Sequence, residues 1–120
     1  MVDFQSQFQV VADFVQNAAK GIFSKLDQIT FKMVIDQLKS TDYEAVRITL
    51  DQLVKEKKPL SVPPIYFVAK AHPVPQVRTR AQQALRQLGC EQEVKNLTQG
   101  KSIEEAVRAL IERYGNYRKL

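Results

Sequence analysis

What is scarce in this sequence excludes most chemistry before any motif is considered. One cysteine, Cys90, leaves no partner for an internal disulfide and fits a reducing compartment. One histidine, His72, accompanies it, so no Cys/His cluster can supply the four ligands of a zinc site. A Cys–His catalytic pair would need the two side chains adjacent and oriented by a third group. His72 falls in a turn and Cys90 just past a helix end, which predicts a surface histidine and a half-buried thiol. Four isolated glycines, Gly21, Gly89, Gly100 and Gly115, form no phosphate-cradling loop. No apolar run approaches the ~20 residues of a membrane span. Residues Met1 to Gln5 show neither a basic n-region nor a continuous apolar h-region, so no signal peptide is expected and the location expected is cytoplasmic. The carboxylate pairs Glu91/Glu93 and Glu104/Glu105 fall near expected helix starts, where the helix dipole favours negative charge. That placement accounts for them without acid–base catalysis. The sequence therefore predicts neither enzyme, cofactor nor metal.

Acidic residues are also missing from one long stretch. Between Glu56 and Glu91 there is none, while the same interval holds Lys57, Lys58, Lys70, Arg78, Arg80 and Arg86. The net charge of +5 is concentrated there, with +4 on residues 61–90. Such asymmetry bears on partners more than on fold. The 120-residue length fits one domain with a core large enough to need no disulfide or metal.

Helical periodicity is what the sequence does have, and no alternating strand pattern competes with it. Phe4, Phe8, Val11, Val15, Ala19 and Ile22 mark an amphipathic first helix that Gly21 ends or bends. A short helix is expected after Thr30, from Phe31 to Leu38. Thr41 and Glu44 have capping-box spacing ahead of a helix carrying Tyr43, Val46, Leu50, Leu53 and Val54 on one face. The Lys-Lys-Pro turn at Pro59 ends it. Pro63 and Pro64 suit the first turn of an apolar helix that runs from Ile65 to Ala71. Pro75 opens the next, with Val74, Val77, Ala81, Ala84, Leu85 and Leu88 inward and Gly89 as its stop. Gly100, then Ser102 with Glu105, repeat the stop-and-cap pattern before a last helix to about Tyr114, and Gly115 leads into the basic tail Tyr117-Arg118-Lys119.

A shift of 31 residues superimposes Lys39 on Lys70, Val46 on Val77, Arg47 on Arg78 and Gln52 on Gln83 without a gap. Apolar positions coincide as well, Leu50 with Ala81 and Leu53 with Ala84 among them. Glu105-Ala106-Val107-Arg108 is a fainter third copy of Glu44-Ala45-Val46-Arg47. A fixed period of this size is the mark of a solenoid. The stretch from Pro73 to Gly89, with its proline turn, Val-Arg pair, Ala-Leu and closing Leu-Gly, resembles the second helix of a HEAT-like repeat. In period it is closest to the short HEAT-like repeats of phycobilisome lyase-type proteins. The likeness is good over 62–89, fair over 31–58 and weak elsewhere. It implies one all-α domain over 1–120, a short right-handed α-solenoid of about three antiparallel helix pairs: an N-terminal cap over 1–30, repeats over 31–58 and 62–89, a degenerate repeat over 91–114 and a basic tail over 115–120. One departure matters. Asp42 supplies the acid that many such repeats hold ahead of Val-Arg, but Pro73 occupies the equivalent place before Arg78.

Helical angles at about 100° per residue sort the arginines. Arg47, Arg78 and Arg108 are expected to brace neighbouring repeats. Arg80 and Arg86, with Gln83, Lys70 and His72, are expected to meet a partner. Tyr66 and Phe67 read as core, so the patch lacks the exposed aromatics of a base-stacking surface. Phe14 and Val10 lie off the main stripe and are expected to pack on a second helix. The function expected is a non-catalytic protein-interaction or assembly module whose basic face meets an acidic protein; the resemblance implies a phycobilisome or another photosynthetic complex as a setting. Nucleic-acid binding by the same face, or a small lyase or chaperone subunit acting only with a partner chain, are the alternatives.

Overall fold

The computed structural model describes the backbone of residues 4–18 and 25–114. Ala19, Gly21, Ile22 and the basic tail after Tyr114 lie outside the described residues, as does the leading part of the expected cap. Among the described residues there are seven α-helices, one 3₁₀ turn and no strand. The helices are α1 (Phe4–Ala18), α2 (Lys25–Leu38), α3 (Tyr43–Glu56), α4 (Val62–Ala71), α5 (Pro75–Gln87), α6 (Glu91–Thr98) and α7 (Ile103–Tyr114), with the 3₁₀ turn at Pro59–Ser61.

Local chemistry explains most boundaries and corrects three of the expected ones. α2 begins at Lys25, so Thr30 is an interior residue and not a start. No glycine or proline stands between Lys25 and Leu38, and threonine lowers helix propensity only slightly, so nothing halts the helix there. α3 is capped by Asp42 instead of Thr41. The Asp42 carboxylate accepts the Glu44 N–H at 3.1 Å, and the Ser40 hydroxyl accepts the Asp42 N–H at 3.0 Å. Glu44 is then drawn to Arg47, and no box with Thr41 forms. α4 starts at Val62, ahead of the expected Ile65, because Pro63 and Pro64 are themselves its first turn.

The remaining stops fall where the sequence places them. α3 ends on Lys57 in the left-handed region, φ 54°. Gly89, φ 77°, ends α5, a conformation that side-chain-bearing residues resist. Ser102 caps α7: its hydroxyl accepts the Glu105 N–H at 3.2 Å and donates to the Glu105 carboxylate.

α4 is the axis of the packing. Every residue from Val62 to Val68 is buried, because α5, α1, α7 and the 3₁₀ turn enclose it. Its Phe67 meets the ring of Phe8 at 5.3 Å and stacks on Phe4 at 5.6 Å, which docks α1 on α4. Three offset-matched apolar pairs of α3 and α5 go inward: Val46 and Val77, Leu50 and Ala81, Leu53 and Ala84. α3 lies against α5, whereas α7 packs on α4 and α1. Tyr114, buried at the end of α7, donates its hydroxyl to Glu93 of α6, and burial raises its pKa above the usual phenol range.

Candidate functional site

The basic residues divide on the two flanks of α5. On one flank Arg80 reaches α3 and pairs with Asp51 at 2.7 Å. Asp51 also accepts from Arg47 at 3.1 Å, so one carboxylate joins the two arginines. Gln83 is exposed three residues on, near that flank. On the other flank, α4, α5 and α6 enclose an open groove of about 420 Å³ lined by Tyr66, Lys70, Gln82, Arg86, Glu91 and Lys95 among others. Lys70 is exposed with its ammonium 5.9 Å from the centre of the Tyr66 ring.

Thus the five residues expected to form one partner patch do not. Lys70 and Arg86 share the groove, but Arg80 is held against α3 and Gln83 falls on its side of the helix. The reason lies in what each flank meets: Asp51 is distant from Arg80 in sequence, and helical angle alone does not reveal it. His72 is the clearest correction. It is not a surface residue but wholly buried, with its Nε2 2.8 Å from the Ser40 carbonyl and its Nδ1 accepting the Val74 N–H at 3.1 Å.

Of the three arginines expected between repeats, Arg47 and Arg78 bond close by, whereas Arg108 reaches a second helix. Arg47 bonds Glu44 and Asp51, three residues before and four after it on α3, so its guanidinium is occupied locally. Arg78 donates to the His72 carbonyl at 2.6 Å. Pro73 offers no carboxylate there, and a backbone oxygen is the acceptor. Arg108 pairs with Glu104 at 3.1 Å and lies 5.2 Å over the Phe14 ring, joining α7 to α1. Arg80, expected to meet a partner, instead reaches from α5 to Asp51 of α3.

Within the groove, Gln82 and Arg86 both donate to Glu91, and these bonds, the Gln82 one foremost, hold its carboxyl below the usual carboxylate range. The Arg86 contacts are long, 3.4 and 3.3 Å, and its side chain is 66% exposed. Three cations therefore line the groove beside one carboxylate, which Arg86 holds loosely. An incoming acidic group can take over Arg86 without breaking a buried pair. Lys95 and Glu91 escaped the sequence-based patch, although their spacing of four on one helix places them on one face.

A second groove, about 290 Å³ and mainly apolar, runs between α1 and α7 past Val10, Phe14, Ile103 and Val107. Phe14 is half-buried beneath Arg108 of α7, whereas Val10 is exposed, contrary to the packing expected of it. Cys90 is buried with its thiol 3.5 Å from the Leu85 carbonyl, and burial pushes its pKa up to about 11. A thiol so placed is a poor nucleophile. Among the described residues no group of His, Cys, Asp and Glu is arranged to hold a metal ion, and no helix is long and apolar enough to cross a membrane. No protein-family model, curated protein or solved structure matches this chain.

Proposed function

We propose that the protein is a non-catalytic interaction module that takes an acidic segment of a protein partner into the α4–α5–α6 groove. The observation that carries the reading is the excess of Lys70, Arg86 and Lys95 over Glu91 in one concave surface. Charge complementarity of this kind chiefly sets association rate and specificity. We also read α2–α3 and α4–α5 as two HEAT-like units of a short solenoid. The coincident burial of Val46 with Val77 and Leu50 with Ala81 supports this, as does the packing of α3 on α5.

Affinity purification at low salt, with wild type beside the double variant Lys70→Glu/Lys95→Glu, tests the function. Both positions are exposed, so the variant should fold normally. The expected result is a set of acidic protein partners retained by wild type and lost by the variant. Partners retained equally by both would sink the groove reading. Retention on duplex DNA, with log K falling by about 0.9 per phosphate against log salt, would transfer the surface to nucleic acid.

A further inference from the structure

The histidine whose burial the sequence conceals sits where three parts of the fold meet. His72 closes α4, its own N–H bonding the Val68 carbonyl at 3.1 Å, and its ring is 0% exposed. From the α2–α3 turn comes the Ser40 carbonyl, 2.8 Å from Nε2 across 32 positions of sequence. From the α4–α5 turn comes the Val74 N–H, 3.1 Å from Nδ1. From α1 comes Phe4, whose ring meets the imidazole edge-on at 4.8 Å. Lys39, beside Ser40, donates to Gln9 of α1 at 2.7 Å, so the turn and α1 are also joined to each other.

An Nδ1 that accepts a hydrogen bond carries no proton, so the ring is the neutral Nε2–H tautomer. A second proton on Nδ1 would face the Val74 N–H, setting donor against donor. It would also place a charge in a closed site where the hydrogen-bonding groups are backbone amide and carbonyl. The charged group facing the ring is the Arg78 guanidinium, which bonds the His72 carbonyl and repels a proton.

We propose that His72 is a proton-sensitive fastener: neutral, it holds α1 and the α2–α3 turn against the start of α5, and protonated it releases them. Burial, more than the Arg78 charge, holds the ring's affinity for a proton below the ordinary histidine value. The sign follows. A group whose folded pKa is depressed contributes stability present above the unfolded value near 6.5 and lost as the pH falls below it.

Because the chain has one histidine, its imidazole resonances need no assignment. Nitrogen-edited NMR of the wild-type protein between about pH 8 and pH 5 reads both tautomer and titration. The expected result is the Nε2–H tautomer at neutral pH and a midpoint below the unperturbed value of 6.5. Hydrogen exchange, corrected for the intrinsic rate, should show α1 and residues 39–42 losing protection before α5 as the pH falls. His72→Gln keeps an N–H for Ser40 and does not titrate in this range. From about pH 7.5 to about pH 5, the wild-type folding constant should fall more than the variant's, by at most about thirtyfold, the limit set by an unfolded pKa near 6.5. The Nδ1–H tautomer, a midpoint at or above 6.5, or protection lost evenly over the whole molecule would overturn the proposal. The NMR and exchange arms stand even where the variant fails to fold.

Discussion

Asp51 accepts from Arg47 on its own helix and from Arg80 on α5, at 3.1 and 2.7 Å. Both Asp51 and Arg80 are about a third exposed, 39% and 31%, so water screens the pair and its worth is modest. A double-mutant cycle with Asp51→Asn and Arg80→Met should give a coupling of about 0.5 kcal/mol that shrinks toward zero near 1 M salt. A coupling of zero at low salt would remove the ion pair from the inter-helix contact. Helical angle places Arg78 and Arg80 on opposite sides of the buried stripe, and the two do turn to different partners, the His72 carbonyl and Asp51. What the angle withheld was the neighbour on each flank. His72 shows the same limit, since its acceptor is a backbone oxygen in a distant turn and no side-chain pattern announces it.

At the scale of the element, the two N-caps of α3 and α7 test how far spacing can be trusted. Ser102 and Glu105 form the contact their spacing predicts, whereas Thr41 and Glu44 do not, because Asp42 takes the capping position. Asp42→Ala is therefore expected to destabilise the fold by about 1 kcal/mol, and Thr41→Ala by less than about 0.5 kcal/mol, in urea denaturation. The reverse order would restore Thr41 as the cap. Two adjacent capping residues look alike in a sequence; the backbone decides between them, and Asp42 is the one held extended, φ −77° and ψ 111°. Proline and glycine were more informative. Pro63, Pro64, Pro75 and Gly89 each mark an end that the structure keeps, since a missing N–H or a positive φ leaves few alternatives.

At the scale of the whole molecule, the repeat located the core but not its closure. Positions 49 and 80, matched by the offset, meet different neighbours. Thr49 is buried and donates to Gln37 of α2, while Arg80 reaches α3. Residues of one pattern thus serve unlike surroundings, and the packing is not a simple repeat either, since α1 and α7 both close on α4. The described residues span 35 × 31 × 31 Å, with no long axis of the kind an extended array would have. In an open array each unit leans only on its neighbours, and a terminal unit can be removed with a shortened stack left behind. Here Val107 and Leu110 of α7 are fully buried, and α7 covers α4 and α1 together. A chain ending at Gly89 should therefore lose the cooperative transition in scanning calorimetry instead of melting as a smaller stack, because it uncovers α4 and part of α1 at once. A sharp transition retained by the truncated chain would mean that α1 through α5 close on themselves without α7, and that the third helix pair is an appendage.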